Sequence, residues 1–154
     1  MTYLDRIKKD KINIFQIQKD LKKMLESNVW TSHFCHCSQD HIQSYTDSLK
    51  TMKQRVAFSE AGYMSSIYSE DLALCLIKSC LDDNLSHIAN FLLSDDTSME
   101  LMGLMTDGPV GYIVNRKRAV EEVSSVIISI RKNDKPCRNS SGFYVEYAYP
   151  VRLP

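Results

Sequence analysis

The spacing of the apolar residues changes at residues 95–98, DDTS, and that change constrains the fold more than any other feature. Before it, apolar side chains recur at every third or fourth residue, as in Ile14, Ile17 and Leu21, which is typical of helices packed on a core. After it, short apolar and aromatic segments alternate with turn residues, which is typical of strands. Helices followed by strands predict an α+β domain with a C-terminal antiparallel sheet.

The approximate boundaries follow from the same spacing. Helices are predicted over residues 3–26, 49–56 and 70–93. Strands are predicted over residues 99–106, 110–115, 123–132 and 142–151. Residues 28–39 show no clear period, and GYMSSIYS at 62–69 is predicted to be a loop or a short strand. We therefore expect helices to fill residues 3–93 and one antiparallel sheet to follow them.

Length and cysteine content narrow the class of protein. A chain of 154 residues is long enough for one domain with an ordinary core, so a single domain over 1–154 is expected. No apolar run approaches the roughly 20 residues of a membrane-spanning helix, and the charged N-terminus lacks a signal peptide's apolar stretch. Five cysteines are an odd number, and Cys75 and Cys80 fall inside a helical pattern. We expect reduced thiols, no disulfide and a cytosolic place of action.

Charge is unevenly placed along the chain although the net charge is zero. Residues 58–107 carry nine acids and one base, whereas residues 114–138 carry seven bases and three acids. The first 26 residues carry seven bases and four acids. A basic face of this kind suits phosphates, although simple solvation of two surfaces explains the pattern equally well.

The segment HFCHCSQDHIQSYTD at 33–47 holds three of the four histidines and two of the five cysteines. Its zinc-ligand types are His33, Cys35, His36, Cys37 and His41. All of them crowd into nine residues, and no second ligand pair occurs elsewhere, which argues against a structural zinc site. A cysteine–histidine nucleophile lacks a supporting local signature, and the chain has no phosphate-binding glycine loop.

Acid–base chemistry by histidine is the remaining option for this segment. Cleavage of RNA by its own 2′-hydroxyl requires a base, an acid and donors or a cation for the phosphorane charge. Suitable side chains are His36, His41, Lys53, Arg55, Tyr147 and Tyr149. Two residues apart on a strand, Tyr147 and Tyr149 are expected to project from one face. Alternatively, they continue the face of Phe143 and Val145 and are core aromatics.

A series of short motifs resembles one known family. HCSQDHI, Thr46-Asp47, Arg55-Val56, SSIYSEDLA, DNLSHIANFL, GPVGYIVNR, SVIISIRK and FYVEYAYP follow one another between residues 36 and 150. In that order they resemble the motifs of the ribonuclease A-like toxin domains of bacterial contact-dependent growth inhibition proteins. The match covers most of the chain, and the order of the motifs makes the set more specific than any single one.

The resemblance implies a ribonuclease A-like fold over 36–150, with 1–35 as an N-terminal helical extension. It implies metal-independent cleavage of RNA to a 2′,3′-cyclic phosphate, without a cofactor, in competition between bacteria. The implied partners are RNA, with tRNA among the candidates, and a cognate immunity protein. Such a domain is expected to be a monomer without a membrane segment. It is secreted or surface-delivered as part of a larger precursor and acts in the target-cell cytoplasm.

The resemblance also assigns the site. Its catalytic set falls on His41, Arg55 and Tyr149, with His36 beside them and with Tyr147 where the family has threonine. Lys53, Arg116, Lys117 and Arg118 are the candidates for holding the RNA backbone. The departure at Tyr147 favours an alternative, a catalytically inert relative that acts by binding. A small zinc-binding protein that uses His33, Cys35, Cys37 and His41 is the other alternative.

Helix geometry sets one condition on this assignment. If residues 41–55 formed one unbroken helix, His41 and Arg55 would lie roughly 21 Å apart and could not share a phosphate. The chain must therefore bend near Tyr45 and Thr46, where Thr46 or Asp47 is a suitable N-cap for the helix that follows.

Overall fold

The structure is a computed structural model that describes residues 2–35, 48–104, 108–133 and 141–152. In these residues helices dominate the N-terminal part, strands dominate the C-terminal part, and every strand pair is antiparallel. The predicted α+β class is confirmed. No helix within the described ranges has the length and apolar character needed to span a membrane.

The helices are shorter than predicted. They are α1 (Tyr3–Asp10), α2 (Ile14–Leu25), α3 (Trp30–Phe34), α4 (Leu49–Arg55), α5 (Glu70–Asp83) and α6 (Leu85–Leu93), with a 3₁₀ turn at Val56–Phe58. The continuous helices predicted over 3–26 and 70–93 are wrong, because each is two helices. Lys11 ends α1 in a left-handed conformation, with φ of 50°, and Asn13 caps α2. Asn84 ends α5 and binds the Cys80 carbonyl through its side chain.

Two local predictions also differ from the structure. The N-cap of α4 is Ser48, whose hydroxyl accepts from the Thr51 N–H, and not Thr46 or Asp47. The segment 28–39, which has no clear period, begins with a helix at Trp30–Phe34. The Ser48 cap decides the start of α4, whereas the helix at Trp30–Phe34 follows Val29 without a side-chain cap, and the apolar spacing indicates neither start.

The strands form two sheets in place of the single predicted sheet. The strands are β1 (Tyr63–Ile67), β2 (Ser98–Leu104), β3 (Gly111–Asn115), β4 (Val120–Val123), β5 (Ser125–Lys132) and β6 (Phe143–Val151). The first sheet has the order β2-β5-β6, and the second sheet has the order β1-β3-β4. Strand β1 lies between two helices in the sequence, α4 and α5. It belongs to the second sheet because its residues 63–67 pair with residues 111–115, much later in the chain. Strand β4 lies where a turn was predicted.

Most of the core lies between the helices and one face of the first sheet. Ile17 and Leu21 of α2 are fully buried in the same cluster as Phe34, Ile128 and Phe143. The N-terminal helices thus share one interior with the last strands. A smaller cluster of Met52, Val56, Tyr112 and Val114, with Met64 beside it, packs α4 on the second sheet.

No disulfide joins cysteines of the described residues, where Cys35, Cys75 and Cys80 are thiols. Cys37 and Cys137 lie outside the described residues. Burial raises the pKa of the Cys35 thiol to about 12, so this thiol stays protonated at neutral pH.

Gly111 lies where the two sheets meet. A Cβ at this position would overlap the Ser66 carbonyl oxygen and stand 2.7 Å from Cγ of Pro150 on β6. We expect Gly111→Ala to lower the free energy of unfolding by about 1–3 kcal/mol, because the crowded backbone must move. Chemical denaturation followed by circular dichroism measures the change. An unchanged midpoint would show that the sheets do not approach each other so closely.

Candidate active site

The two tyrosines of the last strand face away from the core because β6 contains a bulge. Ser129 pairs with Tyr147 but the next residue, Ile130, pairs with Val145, so Glu146 is the extra residue. The alternation is shifted from that point on. Phe143 and Val145 are buried, whereas Tyr147 is 41% exposed and Tyr149 is half-buried. The alternative that both tyrosines continue the core face is therefore wrong, and their projection from one shared face is confirmed.

The tyrosine pair, Tyr147 and Tyr149, lies on the outer face of the first sheet. The two ring centroids are 5.6 Å apart. Across the sheet, Ser129 separates Tyr147 from Glu100, and Ile127 separates Tyr149 from Met102. Burial raises the pKa of the Tyr149 phenol, and the charge of Glu100 and the neighbouring tyrosines raise it further. Tyr149 is thus a protonated hydrogen-bond donor at neutral pH.

A cavity adjoins the pair on the second sheet. Strand β1 packs beside β6. Among the groups that raise the Tyr149 pKa is Tyr63, at the start of β1, so these two phenols are neighbours. A cavity of about 430 Å³ is lined by Gly62, Tyr63, Ile113, Asn115, Val151 and Arg152. The sequence did not single out Tyr63. The sequence feature that could have indicated Tyr63 is the segment GYMSSI, because in a strand Tyr63 and Met64 project from opposite faces.

Arg55 ends α4, which packs on the other face of the second sheet. Met52 and Val56 of this helical segment contact Tyr112 and Val114, whereas Tyr63 lies on the opposite face of the same sheet. Because β1 is an edge strand beside β6, a phosphate shared by Arg55 and Tyr149 would have to lie at this edge. Convergence of His41, Arg55 and Tyr149 on one cleft stays a prediction.

The predicted RNA-binding bases lie around the second sheet. Arg116, Lys117 and Arg118 form the exposed turn between β3 and β4, which Arg118 closes with a φ of 61°. The Arg116 guanidinium donates to the Ser59 carbonyl at 2.6 Å and so ties this turn to the segment after α4. Lys53 is half-buried on α4. The contact of these four bases with RNA stays a prediction.

The histidine–cysteine segment is described only at its start. His36, Cys37 and His41 lie outside the described residues. Cys35 is 1% exposed and forms a backbone bridge with Val145, and the His33 ring packs edge-on against Phe34. Within the described ranges, no three His, Cys, Asp or Glu side chains are grouped so that they could hold a metal ion. Two of the four residues of the zinc alternative, Cys37 and His41, therefore lie outside the described residues, and that alternative stays a prediction.

Comparison with solved structures finds a likeness in fold. The chain is similar to one chain of the crystal structure of the CdiA-CT/CdiI complex from Y. kristensenii, with a TM-score of 0.62 and 21% sequence identity. The similarity covers 72% of this chain and 97% of that one. No family model matches the chain, and no curated protein matches it. At this identity the likeness shows a shared fold, and function has to be argued from the site.

Proposed function

We propose that this protein is a metal-independent ribonuclease toxin domain used in competition between bacteria. The fold shared with a chain of the CdiA-CT/CdiI complex carries the proposal, because the ordered motifs resemble toxin domains of the same kind of system. The outward-facing tyrosine pair supports it with a protonated donor on an accessible face. A ribonuclease A-like core over 36–150, with 1–35 as an N-terminal extension, is part of the proposal.

The proposed reaction is a transphosphorylation. His41 carries out one of the two proton transfers, as the base for the 2′-hydroxyl or as the acid for the leaving 5′-oxygen, and His36 or water carries out the other. The proton lost by the 2′-hydroxyl is thereby balanced by the one that the 5′-oxygen gains. The 2′-oxygen bonds to phosphorus, the bond to the 5′-oxygen breaks, and a 2′,3′-cyclic phosphate and a 5′-hydroxyl result. Arg55 and Tyr149 stabilise the charge that develops on the phosphorane oxygens. Lys53 and the turn Arg116–Arg118 hold the RNA backbone by charge.

The same comparison supports the biological setting that we propose. The similar structure is a complex, and we propose that this chain also has a cognate immunity protein that blocks its action. Delivery as part of a larger precursor, with action on RNA in the target-cell cytoplasm, completes the proposal. The uneven charge along the sequence gives such a partner acidic as well as basic segments to contact.

A catalytically inert relative is the second candidate. Tyr147 stands where the resemblance leads us to expect threonine, and its ring contacts the ring of Tyr149. A bulky phenol at this point could close the phosphate site while preserving the fold. A folded but inactive wild-type protein, free of any partner, would favour this candidate.

Cleavage of total tRNA and ribosomal RNA by the purified chain tests the proposal. We expect cleavage at neutral pH that a metal chelator leaves unchanged, with 2′,3′-cyclic phosphate ends on the products. Loss of cleavage on chelation, restored by zinc, would favour the metal-binding alternative instead. Metal analysis of the same protein provides an independent check on that alternative.

Replacement of Tyr147 tests the departure from the family. We expect Tyr147→Thr to keep or raise cleavage, because Tyr149 supplies a donor and an exposed ring is removed at little cost in stability. The rate of RNA cleavage is the measurement, and Tyr147→Phe is the matched control that keeps the ring but removes the hydroxyl. A drop of tenfold or more in both variants would assign the donor role to the Tyr147 phenol.

A further inference from the structure

We propose that the cavity between β1, β3 and the end of β6 is a subsite for an unpaired nucleotide of single-stranded RNA. Its lining residues are Gly62, Tyr63, Ile113, Asn115, Val151 and Arg152, and its volume of about 430 Å³ is in the usual range of small-ligand sites. The inference rests on the proposed function for the choice of RNA as ligand. The cavity's own side chains supply the remaining arguments.

Tyr63 provides a surface on which a base stacks. Its side chain is 49% exposed, although it stands at the start of a paired strand. Ile113 and Val151 add an apolar wall, so a flat ring can be buried between aromatic and aliphatic groups. Stacking of this kind requires a base that is free of its Watson–Crick partner, which selects single-stranded RNA over duplex.

Asn115 provides a hydrogen-bond donor at the edge of the cavity. The Ala119 N–H donates to Asn115 Oδ1 at 3.1 Å, which fixes the orientation of the side-chain amide. The amide N–H groups take no part in this bond. Because Asn115 lines the cavity, we expect these groups to donate to a carbonyl oxygen or ring nitrogen of a bound base.

Arg152 provides the positive charge for a phosphate. Its Nε is paired with the Glu121 carboxylate across the cavity's rim, and the Arg152 side chain is still 63% exposed. Glu121 lies opposite Ile113 on β4, on the cavity face of the sheet. The neighbouring Glu122 lies on the other face and accepts from the Tyr68 hydroxyl. A phosphate would therefore compete with Glu121, but not with Glu122, for the guanidinium.

The position of the cavity, between the tyrosine pair and the basic turn, also suits a nucleotide subsite. Tyr63 borders it and is a neighbour of Tyr149, and Gly62 lies near the Arg116 guanidinium of the basic turn. One strip of surface thus leads from the tyrosine pair through the cavity to the bases. RNA whose scissile phosphate binds at Tyr149 would place an adjacent nucleotide against Tyr63.

Binding of an RNA strand that cannot be cleaved tests the subsite apart from catalysis. The probe is a fluorescein-labelled 2′-O-methyl dodecamer, either single-stranded or in a duplex, and fluorescence anisotropy with the full chain gives the affinity. We expect the single strand to bind more tightly than the duplex. Tyr63→Leu should weaken single-strand binding by roughly fivefold or more, while Tyr63→Phe should preserve it. Tyr68→Leu is the matched control, because Tyr68 is similarly exposed but lies on no wall of the cavity.

The two neighbouring glutamates test the role of Arg152. Glu121→Gln and Glu122→Gln remove the same charge from adjacent exposed positions, and only the first frees Arg152. We expect Glu121→Gln to tighten single-strand binding more than Glu122→Gln. Equal effects would mean that net charge alone is responsible and that Arg152 does not bind phosphate.

The outcomes separate the subsite from the proposed function. If Tyr63→Leu binds the probe as well as the wild type, or if the probe does not bind, the subsite is overturned whether or not the protein cleaves RNA. If Tyr63-dependent binding occurs without any cleavage, the subsite stands and the ribonuclease proposal fails. Thermal unfolding of each variant shows that the comparison is made between folded proteins.

Discussion

His41→Ala is expected to lower the rate of RNA cleavage by roughly 10²–10⁴, because a positioned proton-transfer group contributes on this order. A histidine has an ordinary pKa near 6.5 and so can both accept and donate a proton near neutral pH. Alanine can do neither, and the 2′-hydroxyl is then a weak nucleophile facing a poor leaving group. The measurement is the rate of cleavage of total tRNA by the purified variant, with folding checked by circular dichroism.

His87→Ala is the matched control for that experiment. His87 is an exposed residue of α6, in a region that the proposed mechanism does not use, so its removal should leave cleavage unchanged. Cys35→Ala should also keep the chemistry, since its thiol is buried and protonated. Full activity of His41→Ala would remove His41 from the mechanism and leave His36 as the histidine to test.

Phe143→Ala is expected to have the largest effect on stability, a loss of about 3–5 kcal/mol in the free energy of unfolding. Phe143 is fully buried at the start of β6, and its ring centroid lies 5.4 Å from that of Phe34. Truncation leaves a cavity where the N-terminal helices meet the first sheet. Equilibrium denaturation of the variant and the wild type gives the difference directly.

Phe58→Ala is the matched control, because it removes the same side chain from an exposed position and so isolates the effect of burial on stability. The same substitution is made at a phenylalanine that is 88% exposed, so the expected change is within about 0.5 kcal/mol. If the two variants lost similar stability, Phe143 would not be part of a packed interior. The contact between Phe143 and Phe34 would then contribute little to holding the N-terminal helices on β6.

The sequence predicts the type of most elements but not their ends. Apolar spacing continues across Lys11 and Asn84, where the helices break, because each break is made by a polar residue between apolar turns. Strand β1 pairs with residues that lie 44 to 52 positions further along the chain. Pairing of this kind is decided by tertiary contacts, so local pattern leaves residues 62–69 between loop and strand.

In the candidate site, too, some features could be predicted from the sequence and others depend on tertiary contacts. That Tyr147 and Tyr149 share a face follows from the two-residue repeat of a strand and could be predicted. Which face they share depends on the bulge at Glu146, which arises from how β6 pairs with β5. Tyr63 could not be selected in advance, because its proximity to Tyr149 is created by the approach of two separate sheets.

The bulge at Glu146 lets one strand serve two purposes that would otherwise compete for the same positions. Before the bulge, the alternate residues Phe143 and Val145 are buried in the core, and after it Ala148 and Pro150 are the buried residues. The residues between are released for contact with a ligand. If all nine residues of β6 paired regularly, without the bulge, both phenols would turn inward and the small residues would be exposed. Deletion of Glu146 would remove the extra residue and should leave both phenols facing outward. What positions the candidate site is thus the pairing of β6 with β5, and substitutions on the outer face of β6 that keep this pairing leave the site in place.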